Sequence, residues 1–200
     1  MVSKPTRRTL VAGLAATAAL RSGQGSARQR LVLNDASQLS ATPVFSHWVA
    51  KTEPEATWIA RLRQEIAEAK ANRRPLIVSA ARHSMGGQSL PRDGHAITLD
   101  LARVAPDRAN RLFRVNGGTR WFEVVEQLNA IGFSPAVMQS NSDFGVAATF
   151  SVGAHGWPVP YGPFGATVRS IRLMLATGDI VSCSRTENAE LFAMAMGGYG

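Results

Sequence analysis

Fourteen residues, LIVSAARHSMGGQS from Leu76 to Ser89, constrain this chain more than any others. Leu76 to Ser79 reads as a short buried strand, too apolar to have a face left in water. It runs into Ala80 and Ala81, then Arg82, His83 and Ser84, and a glycine pair at Gly86 and Gly87. Small side chains let successive backbone N–H groups converge on an anion, and glycine supplies torsions that other residues avoid. Such a loop suits a phosphate or pyrophosphate; a tight strand-to-loop turn with a surface histidine is the plainer alternative. A second stretch, SDFGVAATFSVGAHGW over 142–157, again strings small residues around a histidine, and the pair weighs toward a ligand cradle.

The charge balance needs dissection before it is read as a partner. The chain of 200 residues carries 22 basic and 14 acidic side chains. Lys4, Arg7, Arg8 and Arg21 all precede residue 28, and without these four the surplus falls from +8 to +4. No basic stripe interleaved with aromatics remains, so nucleic acid is not an expected partner. Residues 1–27 read as an export signal of twin-arginine type: Thr6-Arg7-Arg8-Thr9-Leu10, an apolar run to Leu20, and a small-residue end at Gly25-Ser26-Ala27. An ordinary secretory signal and a retained amphipathic start are the alternatives. The apolar run is too short to span a bilayer, so no membrane span is expected in the mature chain, which is expected outside the cytoplasm, periplasmic or extracellular. Cys183 is the single cysteine and reads as a small buried hydrophobe. No Cys/His metal spacing occurs; His47 and His95 stand apart from other candidate ligands and read as structural or surface residues.

Residues 28–52 lack a clear period and carry Pro43, which suggests an extended lead-in overlying the domain. A helix is expected over 53–70, with Trp58, Ile59, Leu62, Ile66 and Ala69 on one face. Strands are expected at 76–79, 96–101 and 112–116, then a helix capped by Thr119 and carrying Trp121, Val124, Val125, Leu128 and Ile131 on one side. A short strand over 133–138 follows. Gly178-Asp179 between two apolar runs, 167–177 and 180–184, signals a hairpin, and 188–196 a final helix. Alternating helices and strands combined with a hairpin give an α+β class.

These ordered motifs resemble the FAD-binding domain of the vanillyl-alcohol oxidase and p-cresol methylhydroxylase (PCMH-type) flavoprotein superfamily, with aldonolactone and alditol oxidoreductases nearest. The resemblance spans about residues 54–200. It is carried by RHSMGGQS, SDFGVAATFSVGAHG, Tyr161-Gly162-Pro163-Phe164-Gly165, Val168-Arg169-Ser170-Ile171, Ala176-Thr177-Gly178-Asp179, Glu190-Leu191-Phe192 and Gly197-Gly198-Tyr199-Gly200. It implies two α/β subdomains over 53–200, truncated before the last strands and the cap or substrate domain. It also implies FAD as cofactor. Ala80, Ala81, Arg82, Ser84, Met85 and Gln88 fall on the pyrophosphate loop, with His83 at the position that many members link covalently to the flavin. Val146, Ala147, Ala148, Ser151, Val152, Gly153 and His155 fall on the segment along the pyrophosphate and ring. Two departures stand out: Ala147-Ala148 replace a common Gly-Gly, and no glycine occupies Ala81-Arg82, so the backbone there is expected to differ.

The implied function is the FAD-binding module of an exported oxidoreductase that takes hydride from an alcohol or sugar-derived small molecule to flavin N5, with dioxygen or another electron acceptor. The acid/base groups come from the cap domain in such proteins, so no catalytic side chain is assigned. Gly153 or Ala154 is the candidate for the residue governing oxygen access. Trp157 and Tyr161 either shape a substrate mouth or pack. His155 either touches the flavin or satisfies loop carbonyls. Arg169 and Arg172 read as a solvated strand face. The competing reading is a non-catalytic FAD-binding or interaction protein that functions at this length.

Overall fold

The computed structural model describes residues 31–199 apart from Thr52, 155–159 and Pro163. Three strands precede the first helix: β1 (Leu31–Leu33), β2 (Thr42–Val44) and β3 (Ser46–Ala50). β1 and β2 pair antiparallel. β3 instead enters a parallel sheet with β4 (Leu76–Ser79) and β5 (His95–Leu99), in the order β3-β5-β4. The lead-in expected to overlie the domain is therefore an integral part of its sheet. Ser46 and His47 obscured this, because their polar side chains break the local pattern and find partners only on β5. Ser46 Oγ lies 3.1 Å from His95 Nδ1, and His47 Nε2 lies 2.9 Å from Thr98 Oγ1.

Helix α1 (Glu55–Ala71) crosses from β3 to β4. Pro54 at its N-cap holds a φ of −55°, suited to a helix start, and Glu55 and Lys70 lie at the ends that favour their charges. Its buried stripe is Leu62, Glu65 and Ala69. Glu65 is the surprise, a carboxylate only 2 % exposed. It accepts from Arg61 one turn earlier at 2.5 Å and lies 2.8 Å from Nδ1 of the equally buried His95. His95 is thus structural, and it is not isolated: Glu65, Glu68 and His95 bring possible ligand atoms within 4.8 Å of one another. Arg61 already pairs with Glu65, and Gln64 donates to Glu68 at 2.8 Å, so both carboxylates have partners, while His95 Nε2 is buried without a hydrogen-bond partner among the described residues.

The second half begins with an antiparallel hairpin, β6 (Val104–Asp107) and β7 (Leu112–Val115). β6 escaped the sequence reading because Pro106 and Asp107 do not look like strand. Helix α2 (Trp121–Asn129) and the short helix α3 (Val146–Ser151) follow, then the hairpin β8 (Ser170–Met174) and β9 (Ile180–Ser184), and helix α4 (Ala189–Ala195). One parallel sheet and several antiparallel pairs give the mixed architecture of an α+β domain. The core of this half gathers Trp121, Val124, Leu128, Val137, Val146 and Phe164. Burying such side chains is worth about 1.5–3 kcal/mol each. Trp121 also donates its indole N–H to Thr149 Oγ1 at 2.8 Å, so no polar atom is stranded there. Cys183 is fully buried on β9.

Two local expectations are corrected. Residues 133–138 form no strand: Phe133 N–H closes the end of α2 on Leu128 O, and Phe133, Val137 and Met138 pack on the core. Their apolar spacing serves packing rather than a ladder, and Pro135 interrupts it. Thr119 does not cap α2. It is buried with its hydroxyl donating to Leu101 O at 2.8 Å, while Glu123 accepts the N–H of the N-cap residue Arg120.

Gly118 shows how tightly the halves join. A Cβ there would stand 2.4 Å from Leu99 O and 2.5 Å from Leu99 Cβ, at the end of β5. Gly118→Ala must push backbone aside, and a loss of about 1–3 kcal/mol or more is expected. Thermal unfolding checks it; a Tm equal to wild type would show that the turn yields freely.

Candidate cofactor site

The loop after β4 is shaped from beneath by Asp35, a residue of the lead-in that sequence reasoning left without a role. Asp35 is 1 % exposed. Its Oδ2 accepts the Gly87 N–H at 3.0 Å and the Ser84 hydroxyl at 3.3 Å, and its Oδ1 accepts both the N–H and hydroxyl of Ser37. The Ser37 hydroxyl, followed by the Gly87 N–H and the Ser40 and Ser84 hydroxyls, holds the carboxyl below its ordinary range against the upward push of burial. Ser84 and Ser89 hydroxyls lie 2.7 Å apart, and the Gln88 side chain folds back to accept the Gly86 N–H. No signal in the sequence singled Asp35 out, because the partners that tie it to the loop, Ser84 and Gly87, lie about fifty residues away.

Arg82 takes a φ of +53°, in the left-handed region where a glycine was the expected residue. A non-glycine residue there costs roughly 1–2 kcal/mol. Three contacts offset this: Arg82 O accepts the Ala36 N–H at 2.9 Å, Nε donates to Asn34 O at 3.2 Å, and Nη1 donates to Thr98 Oγ1 at 2.8 Å. The same guanidinium acts on His47, whose pKa is lowered first by burial and then by the Arg82 charge. Both effects favour the neutral imidazole, whose Nε2 lies 2.9 Å from Thr98 Oγ1. With the loop so braced, the backbone N–H groups of Arg82, His83, Ser84 and Met85 have no acceptor among the described residues. Consecutive free N–H groups beside a cavity are what a pyrophosphate requires.

The two small-residue stretches touch. A Cβ on Gly145 would stand 2.5 Å from the Ala80 methyl, and one on Gly117 would meet Ala147 at 3.1 Å. Across this contact His83 Nε2 lies 2.6 Å from Asp143 Oδ2, while Arg120 Nη1 donates to Asp143 Oδ1 at 2.5 Å. The Phe144 ring stacks on the imidazole, with centroids 4.6 Å apart and planes 9° from parallel. Burial raises the Asp143 pKa, but hydrogen bonds from His83 and Arg120 and their charges outweigh it and hold the carboxyl below its usual value. Asp143, Phe144 and Arg120 were not among the expected site residues. An aspartate near the start of the second stretch was the available clue.

These elements wall a continuous open cavity of about 2300 Å³, well beyond the ~300–1,000 Å³ of a small-ligand pocket. Ala81, Arg82, His83, Ser84, Met85, Gln88, Ala147, Ala148, Ser151 and Val152 all line it. Ala80 lies underneath, against Gly145, and Val146 reaches the cavity from the core. The amides of Val146 and Ala147 are committed to Thr119 O and Gly117 O, so these two offer side chains rather than N–H groups. Ala147 and Ala148 lie within α3, so alanine there meets no left-handed demand; that demand falls on Arg82. Gly153 has a φ of +58° and packs against Gly197. The glycine-rich turn after α4 seals this end, Gly197 and Tyr199 donating to Phe150 O and Ser151 O, the last carbonyls of α3. Tyr161 is half exposed on the cavity wall. Arg169 and Arg172 are exposed there too, Arg172 pairing with Glu55 of α1 at 2.6 Å. His155 and Trp157 lie outside the described residues.

A sheet flanked by a helix, an anion-ready loop and a long cavity define a nucleotide-cofactor domain, and the family profile described as FAD binding domain matches residues 55–184. The chain belongs to that family, and FAD is its cofactor. The free N–H groups and the cavity's size fit it. Cytokinin dehydrogenase 9 of Oryza sativa subsp. japonica is 28% identical over 123 residues, covering 59% of this chain and 24% of that protein. Cytokinin dehydrogenase 3 of Arabidopsis thaliana is 27% identical over 184 residues, covering 86% and 35%. Crystalline 6-hydroxy-D-nicotine oxidase from Arthrobacter nicotinovorans shares the fold, with a TM-score of 0.65 at 24% identity over 70% of this chain and 31% of the other. All are PCMH-type FAD-binding flavoproteins, as the motifs implied. This chain spans about a quarter of the first cytokinin dehydrogenase relatives.

Asp35 gives the site a pH signature. Its folded pKa is lowered, so its stabilisation is full above the unfolded value of about 3.9 and is lost as pH falls through the folded value. Asp35→Asn is expected to lower Tm by several degrees at pH 7 and to weaken FAD binding. The Tm gap should close as the pH falls below about 4. A gap unchanged at pH 3 would show that the charge does not hold the loop.

Proposed function

We propose that this chain is the FAD-binding part of an exported oxidoreductase whose flavin is anchored through His83. The observation that carries the cofactor-anchoring role is the position of His83, on the cavity wall within the run of four free N–H groups. FAD, when bound, supplies a two-electron acceptor at ring nitrogen N5. The protein's part is to hold and orient it: the N–H groups of 82–85 take the pyrophosphate, Asp35 keeps the loop in shape, and α3 with the turn after α4 forms the wall along the ring. On this reading His83 fixes the flavin's far edge. Wild-type holoprotein should then keep its yellow colour after acid precipitation, and His83→Ala should release all of it. Flavin that washes out of denatured wild type would remove the covalent anchor and leave the cradle.

The donor we propose is an alcohol or sugar-derived compound, on the likeness of the motifs to aldonolactone and alditol oxidoreductases. The relatives are named for a cytokinin and a hydroxynicotine, which makes both fair competitors. Hydride transfer needs the donor carbon held against N5 in a water-poor site with a base in reach. His83 and Asp143 are committed to one another, so the 200 residues alone are expected to hold FAD without turnover. Anaerobic bleaching of the flavin should be followed across alditols, aldonolactones, simple alcohols, a cytokinin and 6-hydroxy-D-nicotine. Rapid, saturable bleaching of the 200-residue chain would make it a complete enzyme; bleaching of a longer form by the last two alone would replace the donor class.

Export is proposed from Arg7 and Arg8 and the apolar run behind them. Arg7→Lys with Arg8→Lys should retain the precursor in the cytoplasm. Undiminished export of that variant would point to the general secretory route.

A further inference from the structure

Charge around the cavity is one-sided. Beside the loop after β4 it balances: Arg120 pairs with Asp143, and Asp35 and Arg82 both brace the loop. Elsewhere on the wall the β6–β7 hairpin and its approach contribute Arg103, Arg111 and Arg114, and β8 with the residue before it contributes Arg172 and Arg169. The acidic side chains facing them among the described residues are Glu55 and Asp107. Glu55 is shared by Arg172 at 2.6 Å and Arg103 at 3.8 Å, and Asp107 accepts the side chain and N–H of Asn110. The side chains of Arg111, Arg114 and Arg169 have neither a hydrogen bond nor an ion pair among the described residues. Thr52, Pro163, Gly200 and the stretches 1–30 and 155–159 contain no Asp or Glu, so no carboxylate there answers them. The strand pattern keeps such a group in water: Phe113 and Val115 pack against the core, and Arg114 between them stays exposed.

An exposed guanidinium adds little to an equilibrium contact, yet its field extends about 8 Å at physiological salt and about 30 Å at 0.01 M. FAD carries its negative charge on the pyrophosphate as a dianion, and the free N–H groups that suit it lie on the same cavity wall. A cleft lined by one sign of charge focuses the field and raises association rates by about 10–10³-fold. We propose that Arg111, Arg114 and Arg169 are an electrostatic guide for FAD: they draw the dianion into the open cavity and set the rate of cofactor loading, while the loop after β4 sets how long the cofactor stays. This inference rests on that loop as the pyrophosphate cradle.

The test is stopped-flow association of FAD with apoprotein, followed by flavin fluorescence, from about 0.01 to 0.5 M salt. Wild-type association should slow by about tenfold across that range. With Arg111, Arg114 and Arg169 all changed to Gln, it should be about tenfold slower than wild type at low salt and nearly flat. Lysine at the same three positions keeps the charge and loses the guanidinium shape, so that variant should track wild type, and it serves as the check should the Gln variant fail to fold. Riboflavin, which has the ring and lacks the pyrophosphate, should associate at one rate in all three proteins whatever the salt. Dissociation, measured with His83→Ala in every protein so that no covalent link intervenes, should be unchanged by the three Gln substitutions. A wild-type rate indifferent to salt, a Gln variant that matches wild type, a Lys variant as slow as the Gln variant, or a riboflavin rate that falls with that of FAD overturns the guide. Faster dissociation from the Gln variant also overturns it, since the arginines would then be part of the hold. The cradle is judged separately by Asp35→Asn, from which FAD should leave faster while its association keeps the salt dependence. Unchanged dissociation there refutes the cradle, and the association rates still decide the guide.

Discussion

Everything at the cavity depends on how closely the backbone at Gly145 approaches the methyl of Ala80. With 2.5 Å between that methyl and the place a Cβ would occupy, only glycine fits at 145 while alanine stands at 80. This approach brings the start of the second stretch beside the loop after β4 and sets Asp143 within reach of His83. It also explains why both stretches are built of small residues. They are small toward each other as much as toward the cofactor, and a larger side chain at either point would part the walls before it touched any ligand.

The loop itself is rigid for a different reason. It contains a non-glycine residue in a left-handed conformation and a glycine pair, and on torsional grounds it would sample many shapes. Asp35 and Arg82 remove that freedom, one by gathering N–H and hydroxyl donors, the other by donating to Asn34 and Thr98. Both rely on the segment before α1. The anion cradle is consequently a joint product of residues near 35 and residues near 85, which is the economy of a parallel sheet in which β3 and β4 flank the same central strand.

Periodicity disclosed α1, β4, β5, β7, α2 and the β8–β9 hairpin, because each has a local apolar pattern, but β4 is not the fully buried strand expected: it lies at the sheet edge, and Val78, 43 % exposed, lines the open cavity. It missed β3, whose polar Ser46 and His47 are satisfied only across the sheet, and β6, where Pro106 and Asp107 disguise an edge. It invented a strand over 133–138, where apolar residues serve the core under α2. At the site, the histidine and the small residues were legible as types. The partners Asp35, Arg120 and Asp143 were not, since nothing local tells a carboxylate that gathers distant donors from one that faces water. The expectation that Ala147-Ala148 would distort the backbone failed because those positions are helical, and the strain belongs to Arg82.

The seal on α3 carries a temporal consequence. Its last carbonyls are satisfied by N–H groups at 197 and 199, forty-seven and forty-eight residues further along the chain. The ribosome, adding roughly 5–20 residues per second, therefore delivers the loop after β4 seconds before the residues that close the end of α3. Assembly in chain order thus presents a nascent domain open at one end, into which a long dinucleotide can enter phosphates first and be enclosed afterwards.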